Sequence, residues 1–587
     1  MDRSAGNPLF AKEFALAMRD EGLISCVDGV CELLVRLDQI DFPPSVEALI
    51  TSRFDRLPPA SLLLLKVAAV CGSEFSVDML LAMLATAKKS ESGTQPLSLG
   101  IDSAQVGPTL ENLVSGEADM LRRAEGSRPG DFVFKHRYLQ EVAYELTAEE
   151  LKERLHSAAA AYFEELRDKE KQLGTDTSIR SGGSFNSRRV RGTPRSPCAH
   201  DDLPTTDSQQ PHLEALVYHW TRAGRSTRVG KAAVKYLKLL GDQALDNFSL
   251  VEAKELHEMA FRYATDDEAL KQERGPLQRR MARRHYLQGE AAAAEELLTA
   301  ALIAFDAERT PLNMQADGSV AWRSRLLRLR HMRQRISPFS HWPVAGGAPA
   351  NSPEDADLLE VAACYEQLAQ LHLVGHRVRL AEYCARRALS LGLRLPSLTP
   401  VVARSYAALL QVAASSGASS RTVSYFKSRA LRTCHQLGEN AQLVFTFLAV
   451  AIHEASSAKW ALARDYFHRA LEIVSDLKDL RLWEDVVSHT GHAQFYAGDF
   501  TPSLVNYQAA LQSAQDRQDK QMENRCNSGI AAIYLATRRT ADAHAILKNT
   551  NSYGQLALCL LRLGHADQAM SYACLLYTSP SPRDGLL

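Results

Sequence analysis

Small and large apolar residues alternate in a fixed order through the second half of the chain. The order is small-x-large-x-x-small-x-x-x-large-x-x-small, and three stretches show it: QGEAAAAEELLTAAL (288–302), SAKWALARDYFHRAL (457–471) and YAGDFTPSLVNYQAAL (496–511). Apolar positions three and four residues apart lie on one face of a helix. Each stretch therefore predicts an amphipathic helix whose apolar face combines small and large side chains.

The central small residue of this pattern, called the anchor residue below, recurs at a nearly constant interval. Most intervals are 40 or 41 residues, and one is 87. The anchor residues are Ala253, Ala294, Ala381, Thr422, Ala463, Ser503, Ala543 and Ala569. Such a period is typical of stacked helix pairs, in which small residues let neighbouring helices approach closely. The sequence predicts a tetratricopeptide-like α-solenoid over 211–573, with an insertion near 337–355 inside the long interval.

Two short elements are predicted at the start of the chain. Asn7 is a good helix N-cap, and Pro8 suits the first helical position, where its missing N–H costs nothing. A helix is therefore expected over 6–22. The stretch 23–35 predicts a hairpin, because Asp28-Gly29 is a favoured two-residue turn between apolar runs.

The next segment has the pattern of a winged helix. Three helices are expected within 42–84, and they open at Pro43–Pro44, at Pro58–Pro59 and at Phe75–Ser76. A strand, a wing and a second strand follow over 120–136, and a helix follows over 138–166. We predict a winged-helix domain at 41–166.

Charge argues against a DNA-binding role for this domain. Residues 43–146 carry ten Lys and Arg but thirteen Asp and Glu. A DNA-binding surface needs an excess of positive charge. The whole chain has a net charge of −1, which also gives no reason to expect nucleic acid as a partner.

Two further segments differ in composition from the domains. Residues 167–210 contain a basic run rich in Ser, Gly and Pro, which cannot bury a core, and we predict a disordered linker there. The string CLLYTSPSPRD (574–584) resembles a translated sequencing-library adapter. Residues 574–587 are therefore expected to be a non-native tail.

Composition places the chain among reduced cytoplasmic proteins. Hydrophobic residues make up 45% of it, and its ten cysteines include no C-x-x-C. We therefore expect neither a disulfide framework nor a metal site. The sequence contains no signal-peptide pattern and no run that would span a bilayer.

The order of these domains resembles the second half of a STAND-type P-loop NTPase. The segments GNPLFAKEF, FPPSVEALITSRFDRLPP and FVFKHRYLQEVAYEL are similar to the corresponding region of soluble (type 10) adenylyl cyclases. The resemblance covers residues 1–166 well and the repeats more loosely. It implies that residues 1–40 are the remnant of the helical lid of an AAA+/STAND module.

The resemblance also implies a nucleotide site. Gly6, Asn7 and Pro8 match the G-x-P motif of the lid, whose proline packs on the adenine of bound ATP or ADP. His136 matches the winged-helix histidine that senses the β-phosphate of ADP. Its neighbours Lys135 and Arg137 depart from the Met and Asp of related proteins, so the acceptor that the aspartate supplies is missing. As a residue alone, His136 is equally compatible with a surface or interdomain histidine.

No phosphate-binding loop or catalytic group accompanies these residues. The nearest P-loop candidate, 224–232, has the wrong glycine spacing and Ala232 where a hydroxyl is needed. The chain also lacks the strands and paired aspartates of a cyclase domain. We therefore expect no catalysis and no firmly held nucleotide in this chain, which is interpreted as a fragment of a longer adenylate cyclase.

The sequence leaves three functions open. The first is the regulatory, nucleotide-sensing and protein-interaction part of a cytosolic cyclase, with upstream P-loop and cyclase domains as its intramolecular partners. The second is a tetratricopeptide-type scaffold whose front end is a structural cap. The third is the regulatory part of a STAND transcription regulator or protein kinase. All three expect protein partners on the solenoid.

Overall fold

The computed structural model describes residues 14–15, 18, 23–27, 30–34, 46–88, 103–115, 119–124, 131–177, 212–247, 249–305, 353–375, 377–438, 440–477, 479–548, 550 and 552–578. They divide into two compact units, and the boundary falls within one helix, between Tyr236 and Leu237. Both units are mainly helical, which confirms the predicted fold class. No helix in this part of the chain is long and apolar enough to cross a membrane.

The first unit begins with the predicted hairpin. Strands β1 (Ile24–Val27) and β2 (Val30–Leu33) are antiparallel, and Val27 pairs with Val30. This register leaves two residues for the turn, as the sequence predicted.

A winged helix follows in the same unit. Its elements are α1 (Val46–Asp55), α2 (Pro59–Cys71), β3 (Glu74–Ser76), α3 (Val77–Lys88), α4 (Ser103–Ser115), β4 (Leu121–Arg123), β5 (Asp131–Phe134), α5 (Arg137–Glu145) and α6 (Glu149–Thr177). The three strands form an antiparallel sheet in the order β3-β5-β4. Pro58 precedes α2, and Pro59 occupies its first turn, where a missing N–H costs nothing.

The aromatic residues of the sheet hold it against the helices. Phe75 pairs in register with Phe132, and their rings stack at 6.1 Å. Phe132 and Phe134 alternate inward along β5 and share one core with Leu64 and Leu80. The pleat places every second residue on the buried face, so this short strand is specified by its phenylalanines.

The structure differs from the sequence-based expectation at three places in this domain. Phe75 and Ser76 belong to strand β3, and Ser76 also caps α3 as predicted, because its Oγ accepts a hydrogen bond from the backbone N–H of Met79 at 3.2 Å. Helix α4 occupies a stretch expected to be irregular, because burial of its apolar face outweighs the penalty of Pro108. The expected helix 138–166 is two helices, since the chain turns at 146–148 before α6 begins.

Helix α6 also extends past the predicted domain boundary at residue 166. It continues to Thr177, so 167–177 are helical and do not belong to a disordered linker. Straight-chain residues such as Lys and Gln in this stretch favour helix. The rest of the predicted linker lies outside the described residues. Helix α7 (Leu213–Trp220) and the first half of α8 (Thr227–Asp246) group with the first unit, although the solenoid was predicted to start at 211.

The second unit is a series of helix pairs, as predicted for a solenoid. After α8 come α9 (Leu250–Asp266), α10 (Arg274–Leu287), α11 (Ala291–Ala304), α12 (Pro353–Val374), α13 (Val378–Gly392), α14 (Pro400–Ser415), α15 (Ser420–Leu437), α16 (Asn440–Ser456), α17 (Trp460–Leu477), α18 (Leu480–Ala497), α19 (Phe500–Asp516), α20 (Lys520–Ala536), α21 (Thr540–Leu547), α22 (Tyr553–Arg562) and α23 (Ala566–Thr578). A short 3₁₀ helix, Glu268–Glu273, precedes α10. Even-numbered helices from α8 are the first of each pair, and odd-numbered helices are the second.

The anchor residues lie where the repeat pattern predicts, in the first turn of each second helix. Seven of the eight are buried, and Thr422 is half-buried. Ser503 donates a hydrogen bond of 2.7 Å to the carbonyl oxygen of Gly491 on the neighbouring helix. A larger side chain would hold the two helices apart, so small residues at these positions set the spacing of each pair.

A recurring turn joins the helices within five of these pairs. The residue two positions before the second helix is left-handed in each case: Gly289, Ala458, Gly498, Arg538 and Gly564. The next residue donates its backbone N–H to the carbonyl five residues back, at 2.7–2.9 Å. This Schellman-type closure ends the first helix, and glycine adopts the required conformation without strain.

The predicted insertion and tail can be followed only in part. The insertion 337–355 lies outside the described residues except for its last three, which begin α12. The predicted solenoid end at residue 573 falls inside α23, which continues to Thr578.

Candidate functional site

Of the four residues predicted to contact nucleotide, His136 alone lies among the described residues. Gly6, Asn7 and Pro8 lie outside the described residues. His136 is half-buried at the junction of β5 and α5, where it is the N-terminal cap residue, with φ −140° and ψ 143°. Its roles as a phosphate sensor and as an interdomain residue both stay predictions.

The two cations beside His136 are held in ion pairs. Lys135 pairs with Asp119, and Arg137 Nε donates to Glu141 Oε1 at 2.7 Å. Both cationic side chains that flank His136 are therefore paired with carboxylates. This network differs from the one that the resemblance implies, because Arg137 takes its acceptor from one turn further along α5.

A larger candidate site lies inside the second unit. The first helices of five consecutive pairs, α12, α14, α16, α18 and α20, line a cavity of about 660 Å³ that we call the inner groove. Its lining residues are Tyr286, Gln370, Leu373, Val374, Val378, Gln411, Ala414, Ser415, Phe445, Leu448, Ala449, Ile452, His453, Ser456, Asp485, Ser488, His489, His492, Tyr507, Gln521 and Arg525. Most occur at spacings of three, four and seven along their helices, because one helix face recurs at that interval.

The inner groove has two chemically different walls. Helices α12, α14 and α16 supply a mainly apolar wall that includes Leu373, Phe445, Leu448 and Ile452. The polar residues within this wall are Gln370, Gln411, Ser415, His453 and Ser456. Helices α18 and α20 supply a polar wall: Asp485, Ser488, His489, His492, Gln521 and Arg525. The groove therefore offers most of its apolar contact on one side and its charged groups on the other.

An ion-pair network organises the polar wall. Arg525 Nη1 donates to Asp485 Oδ1 at 2.8 Å, and Arg481 Nε lies 3.8 Å from Asp485 Oδ2. Burial alone would raise the pKa of Asp485, but the two arginines hold that pKa below its ordinary value. Asp485 is therefore ionised at neutral pH and fixes the Arg525 guanidinium at the cavity wall.

The histidines of the polar wall are neutral at pH 7. Burial, followed by the charge of Arg525, lowers the pKa of His489 to about 4 and also lowers that of His492. His489 Nδ1–H donates to the carbonyl oxygen of Asp485 at 2.7 Å. The other ring nitrogen of His489 is thereby left as a hydrogen-bond acceptor.

A second cavity of about 230 Å³ adjoins the inner groove. The two cavities share Tyr286, Gln370, Phe445 and Asp485. The charged residues that line the second cavity are Arg279, Arg283, Arg404, Arg481, Asp479 and Asp485. Guanidinium groups therefore outnumber carboxylates on this surface.

The ends of this stretch of helix pairs touch one another. Arg517 Nη1, after α19, donates to the carbonyl oxygen of Leu287 at 3.0 Å, across 230 residues of sequence. Gly289 lies so close to Asp519 that an added Cβ would be 2.5 Å from its Oδ1. We call this meeting of the α10–α11 and α19–α20 turns the closing contact.

The lining of the groove supports binding of a ligand. Among the described residues, no group of three or more His, Cys, Asp and Glu side chains is placed to hold a metal ion. The groove offers hydrogen-bond donors and acceptors opposite aliphatic and aromatic groups. Such a lining recognises a ligand by shape, apolar contact and polar complementarity.

Sequence reasoning missed the groove residues because they follow no consensus. The repeat pattern is carried by the second helices, whereas the groove is lined mainly by the first helices. A weak signal was present: Arg404, Gln442, Arg481 and Gln521 recur at intervals of 38–40 residues, and all but Gln442 line the groove or the second cavity. Two bonds join consecutive members, from Arg404 to Gln442 at 2.6 Å and from Arg481 to Gln521 at 3.5 Å.

The fold and groove define the chain as a protein of helix-pair repeats preceded by a winged helix. No protein-family model matches the chain, and no curated protein sequence matches it either. Among solved structures it is similar to a Signal Transduction ATPase with Numerous Domains (STAND) from Pyrococcus horikoshii, a protein with a tetratricopeptide repeat sensor. The identity is 10% and the TM-score 0.34, and the match covers 100% of this chain and 60% of that one.

Two other solved structures are similar to this chain, also with low identity and a low TM-score. A Rap protein complexed with Competence and Sporulation Factor gives 12% identity and a TM-score of 0.34, over 62% of this chain and 97% of that one. Yeast Tom70 gives 13% identity and a TM-score of 0.23, over 73% and 94%. Structural similarities with TM-scores this low indicate nothing about function. The chain spans about 60% of the length of the STAND protein.

Proposed function

We propose that this chain is a protein-interaction module whose second unit binds a segment of a partner protein in the inner groove. The observation that carries the proposal is the two-walled cavity of about 660 Å³ lined by five consecutive first helices. Stacked repeats present such an extended inner surface, which suits a peptide segment. This is the scaffold function among the alternatives considered above.

The groove suits a peptide because it offers partners for both the main chain and the side chains of a peptide. Gln370, Gln411 and Gln521 each carry an amide with donors and acceptors, which match main-chain N–H and C=O groups. Leu448 and Ile452 offer apolar contact to side chains. Pre-formed helices present these groups without ordering costs, and this preorganisation favours affinity.

Site-specific crosslinking tests the proposal directly. A photo-crosslinking amino acid at Gln411, inside the groove, should capture a partner segment that mass spectrometry can map. The matched control places the same amino acid at Leu462, which is exposed on second helix α17. Equal capture of the same partner segment from Leu462 would contradict a groove-binding role.

We further propose that the chain is the regulatory part of a cytoplasmic STAND-type adenylate cyclase. The support is the sequence resemblance of residues 1–166, together with a winged helix that is followed by helix pairs in the expected order. In this proposal, an upstream P-loop domain binds ATP or ADP between itself, Pro8 and His136. This chain alone catalyses nothing, and cyclase domains of the parent make cyclic AMP.

Sequencing of independent cDNA distinguishes this parent from the other two. Cyclase motifs and a Walker A lysine upstream of Met1 would support the cyclase. Kinase motifs upstream, or a helix-turn-helix downstream, would replace it with a kinase or a transcription regulator. Conversion of ATP to cyclic AMP by the purified chain would contradict the proposal that this chain is regulatory and that other domains of the parent are catalytic.

A further inference from the structure

We infer that the inner groove takes an acidic amphipathic segment of a partner protein. The inference rests on the proposed function and names the chemistry of the partner. The apolar side of the segment contacts the wall formed by α12, α14 and α16. Its carboxylates face the arginines at the polar wall and in the adjoining cavity.

The charged residues of the two cavities are mostly cationic. Two carboxylates line the cavities, those of Asp479 and Asp485. Five arginines line them: Arg279, Arg283, Arg404, Arg481 and Arg525. Other titratable lining groups are histidines and tyrosines, and His489 and His492 are neutral at pH 7. The cavity surface therefore carries an excess of positive charge.

The acids that balance most of these arginines lie behind them. Arg279 Nε donates to Glu360 Oε2 at 2.5 Å, and Arg283 Nη2 donates to Asp246 Oδ1 at 3.0 Å. Arg404 lies 3.9 Å from Glu366, and Arg481 pairs with Asp519. None of these four carboxylates lines either cavity.

Each of these four ion pairs therefore has its arginine at a cavity surface and its carboxylate away from it, whereas Asp485, the partner of Arg525, lines both cavities. The carboxylates fix the guanidinium groups without neutralising the field at the ligand side, because the ligand lies nearer to the cation. Arg525 and Arg404 are about one-third exposed, at 29% and 32%, and can contact a ligand. Fixed guanidinium groups at a partly enclosed wall favour carboxylates and disfavour Lys and Arg.

The opposite wall identifies the ligand as a peptide and not a small anion. Leu448, Ile452 and Phe445 form a continuous face along α16, at the spacing of one helix surface. Inorganic phosphate or a nucleotide phosphate would leave that face empty. An amphipathic segment covers it with apolar side chains while its acidic side reaches the arginines.

Binding of synthetic peptides to the full chain tests the inference. The probe is a short fluorescein-labelled peptide with leucines at helical spacing and glutamates between them, and a second probe alternates Leu and Glu. Matched probes carry lysine or serine in place of every glutamate. Fluorescence anisotropy should show tighter binding of at least one glutamate probe than of its lysine and serine counterparts, with an affinity that falls as salt rises.

Variants of the groove provide the second test. The double variant Arg404→Gln/Arg525→Gln should weaken the glutamate probe about fivefold or more and reduce its salt dependence. The control Arg469→Gln/Arg539→Gln also removes two cations from ion pairs, but these are exposed outside the groove, and it should bind like the parent chain. Ile452→Asp should weaken the glutamate probe by removing apolar contact and adding like charge.

Three results would overturn the inference. Lysine or serine probes could bind as tightly as the glutamate probes. The double variant could bind as tightly as the control while its thermal unfolding is unchanged. ATP or inorganic phosphate could displace the glutamate probe while Ile452→Asp has no effect. If the double variant does not fold, the parent chain alone tests the inference. Its affinity for the glutamate probe must then fall as salt rises, and it must bind the lysine probe more weakly.

The outcome separates this inference from the proposed function. Crosslinks from Gln411 to a neutral or basic partner segment would leave the interaction module standing and remove the acidic partner. Failure of both the crosslinks and the glutamate probes would remove both proposals.

Discussion

The two units of the chain build their cores in opposite ways. In the winged helix, one cluster of buried residues extends from Ile50 to Ala159 and includes all three strands of the sheet. In the second unit, the buried residues form clusters that overlap in sequence, among them 244–287, 282–450, 444–533 and 531–569. The first unit therefore depends on distant parts of the chain, whereas the second depends mainly on neighbouring pairs.

This difference predicts different responses to damage. A single closed core gains stability only when all its parts assemble, so its unfolding is cooperative. Stacked repeats gain stability pair by pair, so a local defect is confined to its neighbours.

Removal of a core phenylalanine should give the largest effect. Phe134→Ala in β5 and Phe467→Ala in α17 each delete a buried ring and should cost about 3–5 kcal/mol. Hydrogen exchange measured on the full chain should rise throughout the winged helix for Phe134→Ala. For Phe467→Ala it should rise only in α16 to α18. If hydrogen exchange rises over regions of equal extent in the two variants, the proposed difference in cooperativity between the two units is wrong.

Acid should weaken the first unit at a buried histidine pair. His156 and His219 are almost fully buried, their Nδ1 atoms are 2.9 Å apart, and Tyr144 bonds to His156 at 3.0 Å. Burial and nearby cationic groups lower the pKa of His156 to about 3, and burial and Arg222 lower that of His219 to about 4.

The sign of this effect follows from linkage. The folded pKa values lie below the unfolded value of about 6.5, so the pair stabilises the fold fully above pH 6.5. As the pH falls toward the folded values, stability falls by about 1.4 kcal/mol per histidine for each unit. Hydrogen-exchange protection factors of α6 and α7, which are corrected for the slower intrinsic exchange in acid, should fall as the pH decreases from 7 to 5. His219→Gln should reduce that fall in protection, and the exposed control His468→Gln should not.

An enlarged anchor residue should open one helix pair of the second unit. Ala463→Leu places a branched side chain at a buried position between α16 and α17 and should cost about 1–3 kcal/mol. Ala461→Leu, an exposed position in the same turn of the helix, is the control and should change stability little. Equal thermal unfolding of the two variants would mean that Ala463 does not set the helix spacing.

The smallest effect is expected at the turns within the helix pairs. Gly498 has φ 90° and open space around an added Cβ, so Gly498→Ala should cost about 1–2 kcal/mol from backbone strain alone. Ala458 occupies the equivalent position with φ 57°, and Ala458→Gly should be neutral or stabilising. Denaturant unfolding of both variants measures the difference, and destabilisation by Ala458→Gly would contradict the turn argument.

The parts of the fold that the sequence predicted correctly are those governed by local rules. The anchor residues and the hairpin turn each follow from spacing alone, and the structure confirms both. Strand β3 was missed because three residues carry too little periodicity, and its pairing with β5 depends on contacts far along the chain. Helix α4 was missed because Gly107 and Pro108 oppose helix locally, while burial of Leu110 and Leu113 favours it.

The candidate site was harder to predict than the fold for a physical reason. The anchor residues must be small to let helices pack, so every repeat keeps the same pattern. Groove residues such as Gln411 and Arg525 line a cavity and do not belong to the apolar core between helices, so packing constrains their identity less. Only a structure brings them onto one surface.

The closing contact has a consequence for where unfolding can begin. An open stack of helix pairs has two free ends, and unfolding can start by fraying at either end. Arg517 joins the α19–α20 turn to the α10–α11 turn across 230 residues of sequence, so the helix pairs between these turns form a closed ring of contacts. Fraying that starts at α22 and α23 should therefore stop where this ring begins.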